Sequence, residues 1–179
     1  MAKTTWVADA DHSELGFKIR HLMITNINGK FDNFTVEAET EEEEDFLNAN
    51  VTATVDIDSV NTGNAQRDGH LRSPDFFDVD KYRNIVFKAT KAESVDNDGS
   101  YTLYGDLTIR DVTKPIKLDV EFGGVVKDPW GNTKAGFTVH GKINRKDFGL
   151  NWNAVTEAGG VMVSDEVKIH CEVQMLKRS

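Results

Sequence analysis

Residues 103–122 read LYGDLTIRDVTKPIKLDVEF, and two runs within this stretch place an apolar residue or a glycine at every second position. The first run consists of Leu103, Gly105, Leu107 and Ile109, and the second consists of Ile116, Leu118, Val120 and Phe122. Side chains of a β-strand point alternately to its two faces, so this period predicts two strands that each have one apolar face. The short connection between the runs favours an antiparallel pair.

The same alternation recurs along most of the chain. Further runs occupy residues 15–21, 29–36, 51–57, 85–89, 135–143 and 167–175. Turn-forming residues connect several of them, at 96–99 (DNDG), 128–132 (DPWGN) and 158–160 (AGG). About eight antiparallel strands with one apolar face can form a barrel or a sandwich, and we favour the barrel because closure leaves no exposed edge. The sequence therefore predicts an all-β fold, an eight-stranded antiparallel barrel.

Residues 61–81, NTGNAQRDGHLRSPDFFDVDK, break this alternation. Thr62 and Ser73 are candidate helix N-caps, and Pro74 suits the first turn of a helix. We predict one or two short helices here, inserted between strands, where long insertions often cover the mouth of a barrel. A second irregular stretch, residues 39–45 (ETEEEED), has no apolar content and predicts a solvated turn.

Composition excludes several classes of function. The chain has 179 residues, which suits a single domain over residues 1–179, and its net charge of −9 disfavours nucleic acid as a partner. No segment approaches the roughly 20 apolar residues that span a bilayer. The first residues, MAKTTW, lack an apolar signal region, so we expect a cytoplasmic protein, or a periplasmic one if the start is a trimmed mature N-terminus. The single Cys171 cannot form an intrachain disulfide.

Five segments carry a resemblance to a known family. They are residues 11–13 (DHS) with the strand that follows to Leu22, 29–34 (GKFDNF), 67–78 (RDGHLRSPDFFD), 105–115 (GDLTIRDVTKP) and 144–152 (NRKDFGLNW). In this order they resemble the YceI-like family of bacterial, lipocalin-like barrels associated with polyisoprenoid binding, from about Trp6 to Val173. The chain departs from the family pattern at Arg110-Asp111, where the family often has a glycine, and at Arg83, where it often has proline. Both positions are expected at the surface or in turns.

The resemblance implies a lipocalin-like barrel with a short helical insertion at about residues 61–81. It also implies that the interior binds the tail of a long-chain isoprenoid lipid of the polyprenyl or quinone type, for transport or storage. The alternation by itself allows a plainer explanation, in which the same side chains simply fill the centre. The predicted apolar ligand-binding residues are Phe17, Ile19, Phe31, Val55, Ile57, Phe87, Leu107, Phe122, Phe137, Val139 and Ile143. No cofactor is predicted.

Polar and aromatic residues of the family segments are candidates for the mouth of the barrel. Those predicted to contact the ligand are His21, Arg67, His70, Phe76, Phe77, Arg145 and Trp152. Arg67 and Arg145 could bind a phosphate or quinone oxygen. In the structural alternative, Arg67 and Asp68 tie the insertion to the barrel, and Arg145 pairs with Asp147 or Asp165. The two phenylalanines could likewise plug the mouth or anchor the helix in the core.

Histidine spacing predicts no metal site, because none of the five histidines shows an H-x₃-H or HExxH spacing and because His170 and Cys171 point to opposite faces of a strand. His12-Ser13 lies beside Asp11, but the chain has no G-x-S-x-G motif, so we predict no enzymatic activity. Two competing hypotheses remain: a protein-interaction module with a filled barrel and, less favoured, a small hydrolase or isomerase. The resemblance suggests a homodimer, and we expect at most transient membrane contact.

Overall fold

The structure is a computed structural model that describes residues 3–22, 24–41, 46–95, 99–153 and 163–178. Its strands are β1 (Thr4–Ala8), β2 (Glu14–His21), β3 (Thr25–Phe31), β4 (Phe34–Thr40), β5 (Asn50–Asp56), β6 (Val60–Asn61), β7 (Asn84–Ser94), β8 (Ser100–Ile109), β9 (Val112–Lys127), β10 (Thr133–Asn144) and β11 (Val163–Lys177). The helix α1 spans Ala65–Arg72, and 3-10 turns occupy Ala10–His12, Phe46–Asn48, Ile57–Ser59 and Arg145–Phe148. The predicted all-β fold is confirmed.

The eleven segments form one closed barrel of eight strands, because three of the barrel strands are bent and each of these consists of two segments. β1 and β2 are separated by the first 3-10 turn and both pair with β11. β3 and β4 are separated by Asp32-Asn33, and they pair with the two halves of the first bent strand. β5 and β6 form the third bent strand, which pairs with the second. Each bent pair therefore counts as one strand of the predicted barrel.

The remaining strands complete an antiparallel meander. β5 pairs with β7, β7 with β8, β8 with β9, β9 with β10 and β10 with β11, all antiparallel. β11 then closes the barrel against β1 and β2. The predicted meander and closure are confirmed. Short connections between neighbours permit this order because each strand is followed directly by its antiparallel partner.

The helical insertion leaves the barrel after β6 and returns at β7. It contains one α-helix within the described residues, and the residue that caps its N-terminus is Asn64, whose side chain accepts a hydrogen bond from the Arg67 backbone N–H at 3.0 Å. The prediction that Thr62 and Ser73 are N-caps is wrong. Ser73 instead ends the helix, where its hydroxyl donates to the His70 carbonyl at 2.6 Å.

The structure describes some of the predicted turns and not others. The turn at 128–132 is confirmed: Asp128 accepts hydrogen bonds from the backbone N–H groups of Trp130 and Asn132, and Gly131 has a φ of +86°. The predicted turn at 158–160, residues 96–98 of the turn at 96–99, and residues 42–45 of the acidic stretch lie outside the described residues. In the part of the chain that is described, no helix is long and apolar enough to cross a bilayer.

Candidate functional site

An apolar cavity of about 710 Å³ lies inside the barrel. Its apolar lining comprises Leu15, Phe17, Ile19, Ile27, Phe31, Val36, Val51, Ala53, Val55, Leu71, Phe76, Phe77, Ile85, Phe87, Leu103, Leu107, Ile109, Ile116, Leu118, Val139, Ile143, Val163, Val167, Ile169, Cys171 and Val173. Small-molecule sites commonly have volumes of about 300–1,000 Å³ and walls that are mostly apolar. A completely filled core, on which the protein-interaction hypothesis depends, does not agree with this cavity.

Two glycines in the wall leave room for large inward-facing side chains of neighbouring strands. The Phe17 ring packs against Gly29 of the neighbouring strand β3, where a Cβ atom would overlap the ring. The Phe87 ring covers Gly105 in the same way. Both rings line the cavity, and each occupies space that a side chain in place of the glycine would need.

A cluster of aromatic rings closes the end of the barrel that is opposite the helical insertion. Phe46, from the 3-10 turn after β4, packs against Trp6, Phe122 and Phe137, with ring centroids 5.1, 5.6 and 4.9 Å away, respectively. Phe122 and Phe137 were expected on the cavity wall, but Phe46 covers them and they do not line the cavity. We call Trp6, Phe46, Phe122 and Phe137 the aromatic floor.

Ile57 was also predicted to line the cavity, and the structure places it elsewhere. The chain leaves β5 at Asp56 and enters a 3-10 turn, so the alternation of strand side chains ends one residue before Ile57. Its side chain is fully buried in a packed cluster that includes Val79 and Phe148 and does not reach the cavity.

Polar residues of the insertion line the cavity at its other end, which we call the mouth. Asp68 is buried and accepts two hydrogen bonds from Thr62, from its backbone N–H at 2.9 Å and its hydroxyl at 2.6 Å. Arg67 donates to the same threonine, from Nε to Oγ1 at 2.7 Å and from Nη2 to the carbonyl at 2.8 Å. Arg67 and Asp68 therefore tie the helix to the end of β6. Arg67, Thr62, Asn64 and Gln66 all line the cavity.

An aromatic group flanks this polar network. The His70 ring stands edge-on to Trp152 and Phe76, at centroid distances of 4.7 and 5.1 Å, and its Nε2 lies 2.8 Å from an Asp75 carboxylate oxygen. Phe76 is buried, while Phe77 is partly exposed and packs near Phe31. Both phenylalanines line the cavity, and Phe76 also anchors the insertion in the packed interior.

Arg145 is almost completely buried, with 2 % of its surface exposed. Its guanidinium donates to backbone carbonyls on both sides: Nε to Ser164 at 2.9 Å, and Nη1 to Leu150 at 2.6 Å and Trp152 at 2.8 Å. Burial lowers the pKa of this guanidinium from its usual value, and the charge of Asp165 opposes that change. The expected pairing with Asp147 or Asp165 is wrong, since Asp165 forms its ion pair with Lys146 instead.

Most of the predicted ligand-binding residues come together in this cavity. Those that line it are Phe17, Ile19, His21, Phe31, Val55, Arg67, His70, Phe76, Phe77, Phe87, Leu107, Val139, Ile143, Arg145 and Trp152. The prediction missed the polar face of the insertion, Thr62, Asn64 and Gln66, because short polar residues in an irregular segment carry no period. It also missed Ile27, which extends the alternation of β3 by one step before Gly29.

Cys171 contributes a thiol to the cavity wall. The side chain is buried, and this burial raises the pKa of the thiol to about 11. The thiolate is the reactive form, so the raised pKa lowers the reactivity of Cys171 at neutral pH. Its neighbour His170 points to the outside of the barrel, in agreement with the expected alternation.

His12 and Ser13 have separate structural partners. His12 Nδ1 lies 2.9 Å from a carboxylate oxygen of Asp9, and the Ser13 hydroxyl accepts a hydrogen bond from the Gln174 backbone N–H at 3.0 Å. These partners differ from the Ser–His hydrogen bond that activates a nucleophile. Ser13 therefore joins the bend between β1 and β2 to β11, while His12 makes its contact within the bend.

Comparison with known proteins agrees with this architecture. The family model described as the YceI-like domain matches residues 6–175. The UPF0312 protein SAS2572 of Staphylococcus aureus is 41 % identical over 172 residues, which cover 96 % of each chain. The crystal structure of a Campylobacter jejuni YCEI protein superposes with a TM-score of 0.75 and 36 % identity, covering 96 % of each chain.

Two more distant solved structures share the fold. BcnA of Burkholderia cenocepacia has a TM-score of 0.79 at 18 % identity, covering 93 % of this chain and 98 % of its own. A structure described as a polyisoprenoid binding domain from Saccharophagus degradans has a TM-score of 0.65 at 18 % identity, covering 95 % and 97 %. At this level of identity the likeness is one of fold.

Proposed function

The chain belongs to the YceI-like family, and on that premise we propose that its barrel cavity binds the hydrocarbon tail of a long-chain isoprenoid lipid. The observation that carries the proposal is the apolar cavity of about 710 Å³, closed at one end by the aromatic floor and polar at the other. The solved structure described as a polyisoprenoid binding domain supports the choice of ligand. Transport or storage of a polyprenyl or quinone-type lipid is the role that we propose.

The shape of the cavity suits an amphipathic ligand. Each buried methylene contributes about 0.8 kcal/mol, so a few isoprene units can offset the cost of ordering the tail. The head group would then lie at the mouth beside Arg67 and Thr62. We assign Arg67 and not Arg145 to head-group contact, because Arg145 is 2 % exposed and binds carbonyls of four residues, whereas Arg67 is half-buried and its Nε and Nη2 bind the single residue Thr62.

Native mass spectrometry of protein purified from its own cells tests this proposal directly. We expect a bound species that dissociates as a long-chain isoprenoid at about one molecule per chain, identified after solvent extraction. Protein that carries no lipid and that also fails to bind added quinone or prenyl phosphate would contradict the proposal.

Cys171 provides a reporter inside the cavity, and we predict that ligand protects it from a small maleimide. Because burial raises the pKa of the thiol to about 11, labelling of the empty protein at neutral pH should be slow. A saturating isoprenoid should slow labelling at least tenfold further, as measured by mass spectrometry of the single-cysteine chain. Equal labelling rates with and without ligand would place the ligand outside the cavity.

We predict that Gly29→Ala weakens ligand binding about tenfold. The added methyl group overlaps the Phe17 ring, which must swing away from the wall and into the cavity. Binding is measured by quenching of intrinsic fluorescence with a quinone analogue. Gly69→Ala is the matched control, since a Cβ atom there has no neighbour within 4 Å. The double variant Gly29→Ala/Phe17→Ala should regain affinity, and a failure to do so would disprove this mechanism.

Ligand exchange with membranes is the partner interaction that we propose for the mouth. The β2–β3 tip exposes Leu22 and Ile24 (40 % and 72 %) directly after His21, which lines the cavity. We predict that replacing both with serine slows transfer of a fluorescent isoprenoid from phosphatidylcholine vesicles at least fivefold without changing its equilibrium affinity. Val126 and Trp130 are exposed near the opposite end of the barrel, and replacing both with serine should leave the transfer rate unchanged. Equal slowing by both pairs would contradict loading through the mouth.

Three further expectations stay predictions. They are the absence of catalytic activity, the homodimer and the cytoplasmic location.

A further inference from the structure

A chain of polar side chains crosses the outer surface of the barrel, on the far side of the wall from the cavity. His140 of β10 and His170 of β11 occupy directly paired positions in the strand register. Both residues are exposed, and neither lines the cavity. Their rings lie edge-on with centroids 4.6 Å apart, and the two Nδ1 atoms are separated by 3.1 Å.

Glu172 lies beside the ring nitrogen of His170 that is directed away from His140. That nitrogen, Nε2, lies 3.1 Å from Glu172 Oε1, and a carboxylate can only accept a hydrogen bond. In the tautomer that carries its proton on Nε2, the ring donates to this carboxylate and Nδ1 presents a lone pair to His140. Glu172 is itself held by Thr138, whose hydroxyl donates to Oε2 at 2.8 Å.

This arrangement matches the environment of a metal-binding histidine, whose second nitrogen commonly donates to a carboxylate. Zinc lies about 2.0–2.1 Å from a histidine nitrogen. Two nitrogens 3.1 Å apart can both reach one ion at that distance, with an angle of about 100° at the metal. A hydrogen bond between the two nitrogens is the alternative explanation for their separation.

Histidine spacing in the sequence predicts no metal site, but the strand register places two histidines side by side, and we propose that His140 and His170 form a binding site for a divalent transition-metal ion of the zinc, copper or nickel class. Groups of three or more potential metal ligands do not occur in the described part of the chain, so water would complete the coordination. Imidazole ligands favour these metals over calcium and magnesium. The bound ion would cross-link β10 to β11, outside the lipid cavity and independently of the proposed function.

Calorimetric titration of the untagged protein with ZnCl₂ tests the site. We expect about one ion per chain, and His140→Asn and His170→Asn should each weaken binding at least tenfold. Glu172→Gln should weaken it severalfold, because the neutral amide orients His170 less strongly. His12→Asn is the matched control, since that histidine also contacts a carboxylate but has no second histidine beside it, and zinc affinity should not change.

Thermal unfolding supplies a second readout. Zinc should raise the unfolding midpoint of the parent chain and of His12→Asn but not of the two paired-histidine variants. Undiminished zinc binding by His140→Asn, or an equal loss in His12→Asn, would overturn the proposal. Isoprenoid uptake should be the same with zinc and with a chelator, so failure of this site is distinguishable from failure of the proposed function.

Discussion

Replacing Val139 with tryptophan should abolish isoprenoid uptake while the barrel remains folded. Val139 lies on β10, directly opposite Cys171 of the neighbouring strand β11. Its side chain is partly buried and lines the cavity. An indole at this position projects into empty space, where it occupies the volume that the tail requires. We expect at least a hundredfold loss of affinity in a fluorescence titration with a quinone analogue.

Lys142→Trp is the control for this substitution. Lys142 lies on the same strand, but its side chain is on the opposite face, where it is exposed and does not line the cavity. Its replacement should therefore leave ligand affinity unchanged. Urea unfolding separates the two possible reasons for lost uptake. Tryptophan in a hollow barrel should change the free energy of unfolding little, whereas insertion into a packed core costs about 1–3 kcal/mol. Retained binding by a folded Val139→Trp protein would show that the tail lies elsewhere.

Leu107 is a less suitable position for the same experiment, although the sequence presents it as equivalent to Val139. Leu107 also lines the cavity, but it is 7 % exposed and packs within the cluster that contains Phe87 and Ile109. A tryptophan there would displace packed neighbours as well as fill the cavity. Loss of uptake by Leu107→Trp would therefore not distinguish blockage from disruption of the barrel.

The alternation of apolar residues predicts the barrel because it reports which side chains share a face. It identifies the eight strands, and it correctly places residues such as Phe87 and Val139 on the inner wall. It does not reveal where a strand bends. Ile57 follows the period of β5, yet the chain has already turned into a 3-10 segment, so this residue packs in the core.

The aromatic floor could not be predicted from a period. Phe46 belongs to a 3-10 turn that follows an acidic stretch, and a single aromatic residue there has no repeat to indicate its direction. Its ring nevertheless covers Phe122 and Phe137, which removes them from the wall. The boundary between a filled and a hollow part of the barrel thus depends on one side chain from a connection.

Glycines are the other determinant of the hollow interior. A sequence with phenylalanine at inward positions suggests a filled centre, because a ring is expected to project from the wall. At Gly29 and Gly105 a neighbouring ring packs against bare backbone, in space that a side chain at either position would occupy. The pairing of Phe17 with Gly29 becomes evident only when the strand register is known.

Arg145→Met should lower the free energy of unfolding by about 4 kcal/mol, the largest stability change expected for a residue of the mouth. The guanidinium donates to carbonyls of Leu150 and Trp152 on one side and of Val163 and Ser164 on the other. Methionine has a similar length but no donor, so it would leave these oxygens without a hydrogen bond in a buried position. Urea unfolding at neutral pH measures the effect.

Arg145→Lys should recover only part of the loss, because an ammonium group carries the charge but cannot reproduce the planar arrangement of donors. Lys146→Met is the matched control: Lys146 is exposed, and its ion pair with Asp165 at 3.4 Å is worth at most about 1 kcal/mol. If Arg145 acted instead as a ligand for a lipid phosphate, Arg145→Met would weaken binding of a prenyl phosphate and leave stability nearly unchanged. The hydrogen bonds favour the first result, because a guanidinium directed to carbonyls on two segments joins those segments and has little capacity left for an anion.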